Sequence, residues 1–271
     1  MFKIEQMKLR FFKFHGAGND FVMIDNRESL YKLSAEEIAL LCHRRFGIGA
    51  DGLMLLEYSS QYDFEMKYYN SDGLEGSMCG NGGRCIVAFA NMLGIEKEEY
   101  HFMAVDGLHQ ANILRRKNDL WDVSLQMIDV ASIEKNEDSY FMNTGSPHHV
   151  EFVDDVQRVD VYSKGKAIRN NEFYAPKGGT NVNFISVSDD DIIYIRTYER
   201  GVEEETLACG TGVTAAAIAA AIESKSDRND YQIKALGGDL NVRFVREGDV
   251  FTQVWLRGPA ALVFYGEFEL L

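Results

Sequence analysis

Apolar and polar residues alternate along most of this chain, and helical periodicity breaks in at only a few places. FFKFHG and FVMIDN read as strands on either side of a glycine-bearing turn, and GLMLLEY and FEMKYYN as a second pair. Between the pairs, SAEEIALLCHRRF spaces its apolar residues for a helix, with Ser34 in the N-cap position. CGNGGRCIVAFANML predicts a second helix, opened by glycines, and HQANILRR and WDVSLQMI return to strand alternation. The second half repeats the series. YFMNTGSPHHVEFV, NVNFISVS and DIIYIRTYE predict strands, and a helix follows over CGTGVTAAAIAAAIES. IKALGGDLNVRFV, FTQVWLRG and ALVFYGEFELL close the chain as strands.

Each half therefore sets a helix headed by Cys-Gly-x-Gly after a strand that ends in tyrosine and a polar residue. Tyr69-Asn70 precedes Cys79, and Tyr198-Glu199 precedes Cys209. Repetition on this scale predicts two domains related by a pseudo-two-fold. The charged stretch IDVASIEKNEDS lacks alternation and marks the change. The expected halves are residues 1–130, completed by a C-terminal strand over 260–271, and residues 131–259.

Composition narrows the class. A length of 271 residues suits one large or two modest domains, and 46% apolar with 12% aromatic residues supplies packed cores. The net charge of −14 argues against a nucleic-acid partner. The opening MFKIEQMKLRFFKF is broken by lysines, so it reads as an entering strand rather than a signal peptide. VTAAAIAAAI, the longest apolar run, is too short to span a bilayer. The expectation is a soluble cytoplasmic protein with no membrane partner. Cys79 and Cys85 lie six apart and Cys42 in another segment, so the four cysteines offer no zinc spacing. Free thiols in a reducing compartment follow, with Cys42 and Cys85 in apolar helical patterns that suit the core.

Cys79 and Cys209 are different, because each stands at a predicted helix mouth. Unpaired N–H groups and the helix dipole favour a thiolate there, and can bring its pKa from about 8.5 into the range of roughly 3.5–7.5. The glycines let an anion approach the backbone. If the two halves face one ligand, two sulfurs flank the carbon beside its carboxylate. One takes a proton from one face, the other returns a proton to the opposite face, and the carbon inverts. Fixed N–H donors would stabilise the charge that develops on the substrate.

The chain resembles the diaminopimelate epimerase family across nearly its full length. The resemblance is carried by HGAGNDF (15–21), RRFGIGAD (44–51), YNSDG (69–73), MCGNGGRC (78–85), SPHHV (146–150), TNVNF (180–184) and YERGVEEETLACGTG (198–212). It implies an α/β (α+β) fold of two pseudo-symmetric domains, each a mixed, mostly antiparallel sheet wrapped around a central helix. It also implies interconversion of LL- and meso-2,6-diaminopimelate without cofactor or metal, on the way to lysine and peptidoglycan. On this sequence the resemblance makes Cys79 and Cys209 the two bases, with Gly80, Asn81, Gly210 and Thr211 as donors to the reacting carboxylate. Asn19, Asn70, Asn181 and Arg200 would hold the substrate, Arg200 by pairing with its distal carboxylate. His148 and Glu199 would adjust the thiols, with the pairing left open. A homodimer is admitted without being required.

Plainer readings stand beside these. Asn70 and Asp72 suit a turn, Asn19 a loop, His148 the surface, Glu199-Arg200 a surface ion pair, and Glu203-Glu204-Glu205 a solvated loop. Two positions depart from the family pattern: Ser146 where asparagine is common, and Gly52 where glutamine is. The loop from Arg200 to Cys209 is also one residue longer. A proline or hydroxyproline racemase is the nearest alternative, although it typically has histidine where Asn81 stands. A redox-active dithiol protein and a carboxylate-binding module are the others.

Overall fold

The computed structural model describes residues 7–76 and 79–270. The first six residues of the stretch expected to enter as a strand, Ser77 and Met78 of the first glycine motif, and Leu271 lie outside the described residues. The chain divides into two compact units, residues 1–123 with 260–271, and residues 124–259.

The first unit is built from β1 (Met7–Gly16), β2 (Asn19–Asp25), α1 (Ala35–Cys42), β3 (Gly52–Glu57), β4 (Phe64–Asn70), α2 (Gly80–Met92), β5 (Tyr100–Ala104), β6 (Gly107–Lys117) and the start of β7 (Leu120–Gln126). β1 pairs antiparallel with the chain's last strand from Met7↔Leu270 to His15↔Ala261. On the far side Leu262 N–H donates to Asp119 C=O at 2.9 Å. The sheet of this unit thus closes on itself, around α2, which packs on β1, β2, β3 and β6. Every residue from Gly80 to Ala90 is buried, and Phe89 meets Phe12 and Phe14 at ring distances of 5.2 and 5.8 Å. A helix buried on all sides needs apolar or small residues all round, and IVAFA supplies them.

The second unit contains β8 (Ile133–Lys135), β9 (Ser139–Asn143), β10 (Pro147–Phe152), α3 (Val161–Arg169), β11 (Asn181–Val187), β12 (Ile193–Glu199), β13 (Glu204–Thr206), α4 (Gly210–Glu223), β14 (Asp230–Ala235), β15 (Gly238–Glu247) and the first part of β16 (Val250–Leu270). Its sheet runs β8-β9-β10-β11-β12-β14-β15-β16, and α4 packs on β9, β10, β11, β12, β14 and β15. The alanines of α4 are buried, so the helix sits close to its strands.

The two units repeat one topology. In the first, β2 and β3 are parallel across α1, and β4 and β5 across α2. In the second, β10 and β11 are parallel across α3, and β12 and β14 across α4. Parallel neighbours require such crossovers, and both cysteine-headed helices fill the second one.

Some elements differ from the sequence reading. α1 begins at the Ser34 cap, with the reciprocal Glu37 bond of a capping box, but stops at Cys42. His43 Nδ1 accepts the N–H groups of Arg45 and Phe46, both at 3.1 Å, which turns HRRF out of the helix. YFMNTGSPHHVEFV is two strands about a turn at 144–146, and the last two predicted strands are one continuous β16. The Glu203–Glu205 run is not a solvated loop. Glu203 pairs with Arg169 at 2.6 Å, Glu205 grips Arg196 at 2.6 and 2.7 Å, and Glu204 begins β13.

Candidate active site

Cys79 is the N-cap of α2, in extended backbone, and its Sγ accepts the N–H of Gly82 at 3.2 Å. Asn19, the first residue of β2, turns Oδ1 toward this sulfur at 3.9 Å and accepts from Asn81 Nδ2 at 3.4 Å. The Asn19 amide has one orientation, because its Nδ2 donates to Asp51 Oδ2 at 2.7 Å and a carboxylate only accepts. Asp51 is held by Arg44 at 2.7 Å, and Arg44 forks onto Asp20 at 3.0 and 2.8 Å. Buried Lys13 completes the set, 2.7 Å from Asp20. Burial works against the Asp20 carboxylate, but Arg44 and Lys13 hold its pKa far below the usual carboxylate range.

Cys209 is the N-cap of α4 and is 8% exposed. Its Sγ lies 3.4 Å from Thr211 Oγ1, which lies 2.8 Å from His148 Nε2. His148 is fully buried on β10, and its Nδ1 is 3.1 Å from Asn183 Nδ2. Asn183 Nδ2 also donates to the His149 carbonyl at 2.8 Å, and Asn183 Oδ1 accepts from the Thr197 hydroxyl at 2.9 Å. With the amide nitrogen fixed toward the ring, Nδ1 is the acceptor and Nε2 carries the proton. His148 therefore donates to Thr211, whose own hydroxyl proton can be offered to an ionised Cys209. Burial, assisted by the charge of Arg200, lowers the His148 pKa to about 3, so it works as a neutral donor. Thr144 fastens the same helix mouth by donating to the Thr211 carbonyl at 2.8 Å.

The second glycine of each Cys-Gly-x-Gly makes room for these contacts. A Cβ at Gly82 would lie 2.3 Å from the Met54 methyl and 3.3 Å from the Cys79 sulfur. One at Gly212 would lie 2.4 Å from Asn183 Oδ1 and 3.3 Å from His148 Cε1. Gly80 and Gly210 occupy the first helical positions, where N–H groups have no partner within the helix.

A polar cluster lies beside His148. Asn181 is its neighbour across the parallel β10–β11 pair, and accepts the Arg200 N–H at 2.9 Å. The Asn181 amide donates to Ser146 Oγ at 2.9 Å and to the Pro147 carbonyl at 3.0 Å. Arg200 Nη2 donates to the same Ser146 Oγ at 3.3 Å. Glu199, one residue earlier, accepts from Thr206 Oγ1 at 2.8 Å.

The structure thus gathers Cys79, Gly80, Asn81 and Asn19 at one mouth, and Cys209, Gly210, Thr211 and His148 at the other. Asn181 and Arg200 form the adjoining cluster. Asn70 stands apart from these contacts: it is exposed at the end of β4, and its backbone closes the turn to Gly73 and Leu74. Asp72 is the turn residue its type suggests, accepting the Leu74 N–H at 2.9 Å. Cys42 and Cys85 are core thiols; burial pushes Cys42 up to about 12 and drives Cys85 upward as well. Sequence reasoning missed Asn183, Asp51 and the hydroxyl role of Thr211. The available signal for Asn183 was NVNF, two asparagines on one face of a buried strand. Gly52 has a steric reason, since a Cβ there would lie 2.5 Å from the Tyr68 ring and 2.6 Å from the Tyr69 carbonyl oxygen.

Comparison with known proteins bears on what this arrangement does. The family described as Diaminopimelate epimerase matches residues 11–127 and 140–263. A diaminopimelate epimerase of Flavobacterium psychrophilum is 49% identical over 257 residues, covering 94% of this chain and 98% of its own. One from Chlorobaculum tepidum is 41% identical, covering 94% and 99%. Among solved structures, a phenazine biosynthesis protein of the PhzF family from Bacillus anthracis superposes with a TM-score of 0.75, covering 98% and 99% of the two chains. At 14% identity that likeness speaks for the fold alone.

Proposed function

Because the chain belongs to the diaminopimelate epimerase family, we propose that Cys79 and Cys209 are the two bases through which it works. The enzyme is an isomerase that interconverts LL- and meso-2,6-diaminopimelate, a step toward lysine and peptidoglycan precursors. The α-hydrogen beside a carboxylate is a very weak acid, so the chain has to supply both a base and a home for the developing charge. In this reading one cysteine enters as thiolate and takes the α-hydrogen, and the other enters as thiol and delivers a proton to the opposite face. The reverse reaction exchanges their roles.

The backbone N–H groups of Gly80, Asn81, Gly210 and Thr211 meet the reacting carboxylate. Their positions at the starts of α2 and α4 favour an anion before any substrate arrives. His148, acting through Thr211, steadies charge on Cys209 without gaining a proton itself. Glu199 adjusts the protonation of the thiols, and Arg200, Asn181, Asn19 and Asn70 hold the polar groups of the substrate, Arg200 the distal carboxylate. The observation that carries the assignment is the duplication. Topologically equivalent helices each have a cysteine N-cap, and each has a glycine three residues on where a Cβ would collide with a neighbouring side chain, the Met54 methyl at Gly82 and the Asn183 amide oxygen at Gly212.

The racemase alternative is disfavoured by Asn81, which is engaged with Asn19 and stands where proline racemases typically have histidine. Replacing either cysteine by serine tests the proposal. Epimerisation should fall by at least a thousandfold in each variant, and near-full activity in either would end the two-base assignment.

The four cysteines are free thiols, which supports a cytoplasmic location, and no helix among the described residues is long and apolar enough to cross a membrane. A homodimer is supported by the exposed run Val263, Phe264 and Tyr265 on β16, and light scattering during gel filtration tests it.

A further inference from the structure

Arg84 lies in α2, five residues after Cys79, with none of its surface exposed. Its guanidinium folds back toward the helix mouth. Nη1 donates to the Gly80 carbonyl at 3.0 Å, Nη2 donates to Asn81 Oδ1 at 2.8 Å, and Nε has no hydrogen-bond partner among the described residues. No carboxylate stands within ion-pair distance of it among the described residues. The ionisable groups that face it are Cys85 and Cys79 on α2 and Asp122 on β7. Burial lowers the Arg84 pKa, yet guanidinium does not give up its proton in proteins. The core of the first unit therefore carries a positive charge directly behind the mouth of α2. A buried charge with no carboxylate in ion-pair contact is costly, and hydrogen bonds to neutral oxygens offset only part of that cost.

The repeat shows what is particular about this side chain. Five residues after Cys209 stands Thr214, which is also buried and donates to the Gly210 carbonyl at 3.0 Å. The same backbone oxygen is thus satisfied at both mouths, by a cation in α2 and by a neutral hydroxyl in α4. Thr211, which touches the Cys209 sulfur, and the neutral His148 behind it are uncharged as well. Arg200 is the cation on that side, but it is solvent-exposed and spends a nitrogen on Ser146. Cys79 also receives the Gly82 N–H, whereas the Cys209 side chain makes no such cap bond.

Resting on the two-base reading, we infer that Arg84 is a positioning residue whose buried charge makes Cys79 the more acidic of the two catalytic thiols. The anion that the charge awaits is the Cys79 thiolate, with the substrate carboxylate beside it. Gly82 N–H and Arg84 serve the sulfur when it is ionised, and Asn19 Oδ1 takes its proton when it is not. Through Asn81 Oδ1 the same guanidinium holds the Asn81 amide toward Asn19.

The test is the pH dependence of iodoacetamide alkylation, followed by mass spectrometry on the Cys79 and Cys209 peptides of the intact chain. In the unaltered protein Cys79 should titrate at lower pH than Cys209; the opposite order, or equal values, overturns the proposal. Arg84→Met, of similar volume and no charge, should raise the apparent pKa of Cys79 by about one unit or more and leave Cys209 in place. Arg84→Lys should restore part of the shift. A folded Arg84→Met protein with an unmoved Cys79 titration also overturns the proposal. If Arg84→Met does not fold, the order of the two thiols in the unaltered chain decides. Alkylation needs no turnover, so these outcomes are separate from those of the cysteine replacements, which judge the two-base reading itself.

Discussion

His148 Nε2 lies 2.8 Å from Thr211 Oγ1, and the tautomer that Asn183 imposes makes the histidine the donor. The hydroxyl of Thr211 is thereby turned into a fixed donor for an ionised Cys209, 3.4 Å away. A chain of three hydrogen bonds links a buried asparagine to a sulfur without moving any net charge.

The first prediction concerns that hydroxyl. Thr211→Val keeps the shape and removes the donor, and a hydrogen bond to a charged group is worth roughly 1.5–3 kcal/mol. Turnover should fall by about ten- to a hundredfold, while Thr211→Ser stays within a few-fold of the parent. Steady-state kinetics on both variants, with circular dichroism to confirm folding, checks this.

The second concerns acid stability. Burial holds His148 at about 3 and His149 at about 4 in the folded chain, against about 6.5 for histidine in an unfolded one. Below pH 6.5 the unfolded state binds more protons, so the stability both residues contribute is intact above that pH. It is lost as the pH falls toward 4. Each adds a slope of about 1.4 kcal/mol per pH unit in that window. Urea midpoints should be flat from pH 7 to 8 and fall between pH 6 and 4.5, and His149→Phe should make that fall shallower.

How much of this was legible beforehand follows from distance along the chain. The strand, the glycine-rich mouth and the helix are contiguous, so YYN…CGNG and YER…CGTG exposed both thiol sites and their repetition. The supports come from far away: Asp51 is 32 residues from Asn19, and His148 is 63 from Thr211. No local pattern announces such pairs. α3 went unread because VYSKGKAIR buries only Val161 and Gly165, too few positions to set a helical period. Nothing in the sequence sets Arg84 apart from other helical arginines, and its complete burial is what marks it.

Those distant supports yield the third prediction. Asp51→Asn can donate where the carboxylate only accepted, so the Asn19 amide is free to turn its nitrogen toward Cys79. The catalytic rate should drop by about tenfold with a smaller change in stability, because Asp51 is solvent-exposed. Double substitution with Asn19→Ala should add little more, since both changes remove the same contact.

The fourth concerns Ser146, whose hydroxyl accepts from both Asn181 and Arg200. Ser146→Ala should release the Arg200 guanidinium, raising KM for diaminopimelate by about five- to tenfold while changing kcat little. An unchanged KM would show that Arg200 is held well enough by its backbone bond to Asn181.

The most direct test of the central claim is a single early time point in deuterium oxide. LL-Diaminopimelate is converted to a few per cent, and the α-hydrogen content of product and remaining substrate is read by NMR. With Cys79 and Cys209 acting on opposite faces, the inverted carbon of the product carries deuterium from solvent, and the unreacted substrate keeps its hydrogen. A product that retains the substrate's own α-hydrogen would mean that one base carries it from face to face, and would contradict the account.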